Sequence, residues 1–175
     1  MMMTPVRRAW LISLVWIAVI GLESFGGSAE NTSHLLYPLL KFFFPKITAL
    51  RMFQIHFCLR KAGHLLGYCV LSLALYRSWW VTLAVRDGSD RLSLRQMIRS
   101  WDWRAVLLSL AGTLAVAGLD EWHQSFNPLR GSSIWDVALD ECGGLMTQSV
   151  LVVISSVEVV RQKGRSLRNG SLTSV

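Results

Sequence analysis

Four long apolar segments constrain the fold of this 175-residue chain more than any other feature. They cover residues 9–25, 62–85, 105–121 and 134–157, and each reaches or nearly reaches the ~20 residues that a helix needs to cross a bilayer. Charged residues make up 17% of the chain, whereas soluble domains average about 25%. Because hydrocarbon cannot satisfy open backbone groups, such spans must be helical. We therefore predict an all-α, polytopic membrane protein with about four transmembrane helices.

The first apolar segment has two interpretations. It follows Arg7 and Arg8, and the small residues Gly27, Ser28 and Ala29 after it would suit cleavage of a secretory signal peptide. We favour a retained span because further spans follow. In either case the next part of the chain emerges on the far side of the membrane.

An amphipathic segment lies between the first and second spans, over residues 31–59. Its apolar side chains recur near helical spacing, and Lys41, Lys46 and Arg51 interrupt them. Pro38 and Pro45 are expected to break the pattern into short pieces. This pattern favours one or two helices lying at the membrane interface. The alternative is a re-entrant element packed on the bundle.

The distribution of basic residues predicts the orientation. The N-terminus, the stretch from Arg77 to Arg104 and the C-terminal tail carry 12 of the 18 lysines and arginines. The positive-inside rule then places both termini in the cytoplasm. Residues 1–160 would form the membrane domain, and the basic tail 161–175 is expected to be disordered and cytoplasmic. The interfacial segment and the loop with Asn127 and Arg130 would face outward.

The net charge of +7 does not indicate nucleic-acid binding, because the basic residues flank apolar segments and form no continuous stripe. The partner that the composition does predict is the lipid bilayer. Three cysteines without CxxC spacing argue against a disulfide framework or a cysteine zinc site.

Two groups of polar residues at the predicted outer ends of the spans are candidate site residues. Lys61, His64 and Tyr68 share one helical face, and Arg60 is one turn before His64. Arg60 and Lys61 have an ordinary alternative role, since basic residues at span ends snorkel to the headgroups. The second group surrounds the loop between the third and fourth spans and consists of Asp120, Glu121, Gln124, Arg130, Asp136 and Asp140.

Helix capping explains only part of the acidic group. Asp136 has capping-box-like spacing from Ser133, whereas Asp140 lies a full turn deeper. Asp136, Asp140, Gly143 and Thr147 fall on one face, whose small residues would let another helix approach closely. With Glu23 and Glu141 included, the acidic side chains outnumber Arg60, Lys61 and Arg130 by six to three. Protonation, a bound divalent cation or exposure to water could balance this excess. No organic cofactor is predicted.

These residues resemble the signatures of the VanZ-like family of small bacterial membrane proteins. One signature is Lys61-x-x-His64-x-x-x-Tyr68 followed by Leu71. The other runs from Asp120-Glu121-x-x-Gln124-x-Phe126 through Arg130 and Asp136 to Asp140-x-x-Gly143. The resemblance implies a bacterial inner-membrane protein of the cell envelope and an association with teicoplanin-type glycopeptide resistance. Asp140 departs from the pattern, since many members have asparagine there, and Glu141 is not part of it.

Three hypotheses for function follow from these observations. A non-catalytic envelope protein would bind a lipid, a wall precursor or a glycopeptide antibiotic at the outward-facing polar site. A membrane-embedded enzyme would instead use the carboxylates and His64 as general acid and base on an outer-leaflet or wall-linked substrate. In the third hypothesis the charges form an ion-pair network that only holds the helices together.

Overall fold

A computed structural model of the chain describes residues 3–26, 29–90, 92–126 and 133–172. Within these ranges every element of regular secondary structure is an α-helix. They are α1 (Pro5–Gly26), α2 (Ala29–Phe43), α3 (Ala49–Arg86), α4 (Leu94–Arg99), α5 (Trp103–Gln124) and α6 (Ile134–Leu172). Among the described residues, four helices are long and apolar enough to cross a membrane, namely α1, α3, α5 and α6. The prediction of an all-α protein with about four spans is therefore confirmed.

The distribution of polar and apolar side chains is the reverse of that in a soluble helical bundle. Ser13, Ser72, Ser78, Ser109 and Thr113 are completely buried between the helices. Large apolar side chains point outward along the same helices, including Leu14, Leu107, Leu114, Val150 and Val153. Lipid tails are as apolar as leucine, so small polar residues that hydrogen-bond between helices suit the interior of a membrane bundle.

Helix α3 lies at the centre of the bundle and contacts α1, α2, α5 and α6. Helix α1 runs antiparallel to it, because the indole nitrogen of Trp10 donates to Thr82 and that of Trp16 donates to the carbonyl of Gly67. Helix α6 runs parallel to α3, with Asp140 near His64 and Gln148 bonded to Ser72. Helix α5 is antiparallel to both, so the four spans alternate in direction along the chain.

Helices α3 and α6 approach each other closely at Gly143. A Cβ atom there would lie 2.5 Å from the carbonyl oxygen of Leu65 and 3.2 Å from the amide nitrogen of Cys69. The Cys69 thiol donates to the carbonyl of Gly143, and the Thr147 hydroxyl donates to the carbonyl of Cys69. The expectation that this small-residue face of the fourth span admits a neighbouring helix is confirmed.

The amphipathic segment differs in detail from the prediction. Helix α2 continues through Pro38, and only Pro45 lies in the turn before α3. A proline costs a helix one backbone hydrogen bond, and α2 tolerates that loss. Residues 49–59 are the first turns of α3, which at ~1.5 Å per residue is about 57 Å long and exceeds the ~30 Å hydrocarbon core. The side chains of Phe42, Phe43 and Leu50 are strongly exposed, as an interfacial segment requires.

Helix α6 also extends beyond its predicted end at residue 157. It continues to Leu172, so most of the basic tail 161–175, for which disorder was expected, is helical. Residues 161–172 contain no proline, and five of the twelve are arginine, lysine or glutamine, which are good helix formers. Extending an existing helix also avoids the cost of nucleating a new one.

Candidate functional site

Polar side chains from three spans meet at one end of the bundle, where α5 ends and α6 begins. We call the following residues the polar cluster: Lys61, His64 and Tyr68 of α3, Asp120, Glu121 and Gln124 of α5, and Asp136 and Asp140 of α6. Their backbones belong to helices that pack against one another, so the chain holds these side chains on rigid elements. Three contacts define the geometry of the cluster.

The first contact is an ion pair between α3 and α6. The ammonium group of Lys61 donates to a carboxylate oxygen of Asp136, and both side chains are about one-fifth exposed. Lys61 also lies over the ring of Phe57, with its nitrogen 5.5 Å from the ring centroid. Lys61 is therefore already neutralised by Asp136 and does not balance the deeper carboxylates.

The second contact joins His64 and Asp140. The Nδ1 atom of His64 lies 3.6 Å from a carboxylate oxygen of Asp140, which is longer than a hydrogen bond. The Asp140 side chain is completely buried, and neither of its oxygens has a hydrogen-bond partner among the described residues. The His64 side chain is one-third exposed, whereas that of Asp140 is not exposed. Asp140 is thus the least satisfied carboxylate of the polar cluster.

The third contact centres on Asp120. One of its oxygens accepts from the amide nitrogen of Gln124 at 3.1 Å and from the hydroxyl of Tyr68 at a long 3.5 Å. Both donors are neutral, and all three side chains are buried. Asp120 is oriented by these bonds, but neither donor compensates its charge.

The remaining residues of the predicted site lie at its edge or outside the described part of the chain. Glu121 accepts a hydrogen bond of 2.9 Å from the backbone nitrogen of Ser133, so it ties the end of α5 to the start of α6. Arg60 is partly exposed and makes no hydrogen bond or ion pair with the described residues. Arg130 falls within residues 127–132, which lie outside the described ranges.

A small pocket of about 40 Å³ opens beside Asp120 and His64. Its walls include Glu23 and Ser24 of α1 and Tyr68 of α3, so the first span also contributes to the site. A water molecule needs roughly 10–15 Å³ of such space. The pocket therefore has room for a few waters or a small polar group, and not for a large ligand.

Three donor atoms at this end of the bundle, two of them from residues that line the pocket, could hold a metal ion. One nitrogen of His64 and one carboxylate oxygen each from Asp120 and Asp140 lie within 4.8 Å of one another. Carboxylate and imidazole are the groups that bind divalent metals in proteins. The same side chains could also exchange protons with a bound substrate, since a carboxylate and a histidine are suitable acid and base groups.

Sequence reasoning missed a polar ladder just below the site. The amide nitrogen of Gln148 donates to the Ser72 hydroxyl at 2.8 Å, and that hydroxyl lies 3.4 Å from the carbonyl of Gly144. The sequence contained a signal for this contact. Polar or small residues recur at every fourth position in two sets, namely 64, 68 and 72 in one and 140, 144 and 148 in the other. These two stripes face each other across the α3–α6 contact.

Searches against models of protein families, curated proteins and solved structures returned no match to this chain.

Proposed function

We propose that the chain is a VanZ-like integral membrane protein of the bacterial cell envelope that binds the polar part of an envelope molecule at the polar cluster. The candidate ligands are a lipid, a cell-wall precursor and a glycopeptide antibiotic, and ligand binding would alter susceptibility to teicoplanin-type glycopeptides. The protein would reside in the inner membrane with both termini in the cytoplasm and the polar cluster facing outward.

One observation carries this proposal: a small pocket at one end of the bundle is lined by Glu23, His64, Tyr68 and Asp120. Ionisable groups in a membrane bundle are costly and generally mark a site. Of the carboxylates in the polar cluster, Asp136 is paired with Lys61, while the donors to Asp120 from the described part of the chain are neutral. The site therefore favours a ligand whose polar part contains hydroxyl groups, which can bind to a carboxylate or to a cation that the carboxylates hold.

We expect the pocket end of the bundle to be accessible from outside the cell. The test replaces the three cysteines with serine or alanine and then introduces one cysteine at Ser89 or at Asn127. A membrane-impermeant thiol reagent applied to intact cells should label the variant with cysteine at position 127 and leave the variant at position 89 unlabelled until the cells are lysed. The positive-inside distribution of basic residues is the reason for this expectation. The opposite labelling pattern would place the polar cluster in the cytoplasm and contradict the proposal.

We expect the substitution Asp120→Asn to weaken ligand binding at least about tenfold, which corresponds to ~1.4 kcal/mol. Asparagine keeps the shape of the side chain and removes its charge. The measurement uses purified protein in lipid nanodiscs, with teicoplanin and a lipid-linked wall precursor as separate probes. Glu158→Gln is the control, because Glu158 pairs with Arg99 on α4, far along α6 from the pocket. Binding of neither probe by the unmodified protein, or equal binding by the Asp120→Asn variant, would contradict the proposal.

A second function has specific support from the geometry. His64 lies 3.6 Å from buried Asp140, and Tyr68 contacts Asp120 beside the same pocket. This arrangement offers proton donors and acceptors to a bound substrate, as an enzyme acting on an outer-leaflet or wall-linked substrate would need. Incubation of the nanodisc protein with the lipid-linked precursor, followed by mass spectrometry, separates the two functions. Binding without product formation supports the binding protein, whereas a product that His64→Gln abolishes supports the enzyme.

A further inference from the structure

We propose that His64, Asp120 and Asp140 form a binding site for one divalent transition-metal ion. The site draws one ligand from each of α3, α5 and α6. It deepens the proposed function by assigning an occupant to the polar cluster, but metal binding is measured without any envelope ligand. The two proposals can therefore fail separately.

The distances between the donor atoms suit a single ion. The three donors lie within 4.8 Å of one another. Metal–ligand bonds to imidazole and carboxylate are ~2.0–2.2 Å long, so two donors on opposite sides of one ion are about 4.2 Å apart. Around a tetrahedral ion with bonds of this length the donors are about 3.4 Å apart, and the 3.6 Å between His64 and Asp140 is close to that value. Side-chain movements of up to about 1 Å would bring all three donors onto one ion.

The environment of Asp140 is an independent reason to expect a cation. Its carboxylate is completely buried, and both of its oxygens lack a hydrogen-bond partner among the described residues. A buried carboxylate without donors is strongly unfavourable. Among the described residues, the basic group that pairs with Asp140 is His64, at 3.6 Å. A metal ion between Asp140 and His64 would satisfy the carboxylate directly and leave the imidazole neutral.

The charges of the described part of the cluster favour a divalent ion over a monovalent one. Lys61 is paired with Asp136 and is not available to the deeper carboxylates. Within the described residues, Asp120 receives hydrogen bonds from Tyr68 and Gln124, both of which are neutral. Two uncompensated carboxylates therefore face the same space, and an ion of charge two neutralises both.

The surroundings of the three ligands complete the features of a metal site. Tyr68 and Gln124 hold Asp120 in place, as outer residues orient the ligands of known metal sites. The adjoining pocket of about 40 Å³ has room for the water molecules that fill the remaining coordination positions. Three protein ligands and an open position are the arrangement of a site that can also bind or activate a ligand.

The donor set selects the class of metal. Imidazole suits zinc, iron, copper and nickel, while sites for magnesium and calcium consist of oxygen ligands. One histidine with two carboxylates therefore favours zinc or another transition-metal ion over magnesium.

The test measures metal binding to the tag-free, full-length protein in nanodiscs after treatment with a chelator. Equilibrium dialysis against Zn²⁺, followed by elemental analysis, should give one tightly bound ion per chain, and Mg²⁺ should not compete. Asp140→Asn should lower the affinity about 100-fold or more. Gln124→Leu should lower it by about 10- to 100-fold, because it removes an outer residue that holds a ligand.

Two control variants exclude other sources of metal binding. Glu158→Gln removes a carboxylate at the opposite end of the bundle, and a variant without Cys58, Cys69 and Cys142 removes every thiol. Both should retain one Zn²⁺ per chain. If Asp140→Asn does not fold, His64→Gln decides the question, because His64 lies near the surface and is one-third exposed. Absence of bound Zn²⁺ in the unmodified protein, or unchanged affinity in the ligand variants, would overturn the proposal and leave protonation to balance the buried charge.

Discussion

Replacement of Gly143 by alanine should destabilise the protein by about 1–2 kcal/mol, and replacement by leucine should prevent folding. The new Cβ atom would lie 2.5 Å from the carbonyl oxygen of Leu65, and a backbone atom cannot rotate away. Overpacking of a tight contact costs ~1–3 kcal/mol, while alanine recovers up to ~1 kcal/mol of helix propensity. The steric cost therefore exceeds the gain, and α3 and α6 must separate to relieve it.

The matched control is Gly118→Ala on α5, where an added Cβ atom would meet no atom within 4 Å. This variant should be as stable as the unmodified protein or slightly more stable, since only the intrinsic helix propensity of the residue changes. Thermal midpoints from size-exclusion chromatography of heated samples in one detergent compare the variants. Equal midpoints for Gly143→Ala and Gly118→Ala would show that α3 and α6 are farther apart than the structure has them.

Reversal of one charge of the Lys61–Asp136 pair should destabilise the protein by about 2 kcal/mol or more, and reversal of both should restore at least half of the loss. Removal of one partner of a fully buried ion pair costs ~3–5 kcal/mol. We expect a loss of stability below that range, about 2 kcal/mol, because both side chains are partly exposed. In the Asp136→Lys variant two ammonium groups would meet, and in Lys61→Asp a further carboxylate would join an acidic cluster.

The control for this pair is Arg99→Glu, which reverses a charge opposite Glu158 at the other end of the bundle. Arg99 is 40% exposed, so its reversal should cost no more than about 1 kcal/mol. Unfolding in a denaturing detergent gives the free energies for a double-mutant cycle. If the changes in the free energy of unfolding caused by the two charge reversals simply add in the double variant, the two side chains do not form an ion pair. Restored stability without restored ligand binding would separate the structural role of this pair from the function of the pocket.

The ion-pair network alone does not account for the polar cluster. If the charges served only to join helices, each carboxylate would face a cation, as Asp136 faces Lys61. Among the described residues, Asp120 and Asp140 instead lie near one histidine, His64, and Asp120 and His64 line a pocket. An unsatisfied buried carboxylate is weak support for a purely structural role and stronger support for a binding site.

The sequence predicted the number of spans and the faces of its polar residues well, and predicted helix ends poorly. The fourth span begins at Ile134 as expected, but α6 continues to Leu172. Residues 49–59 join α3 although a separate interfacial helix was one expectation. Hydropathy reports where a helix can be in hydrocarbon, and a helix need not end where the hydrocarbon ends. Pro38 was a misleading signal because a single proline did not end α2.

The sequence by itself determined that the chain forms membrane-spanning helices, and that Lys61, His64 and Tyr68 share one face while Asp136, Asp140 and Gly143 share another. Backbone hydrogen bonding in lipid and the helical repeat require this. Only the tertiary structure decided that α3 and α6 are parallel neighbours, that Lys61 pairs with Asp136, and that Asp140 is left with His64 and Asp120. The physical reason is that such pairing depends on the relative rotation and vertical register of separate helices, which close contacts such as that of Gly143 set and a linear pattern does not contain.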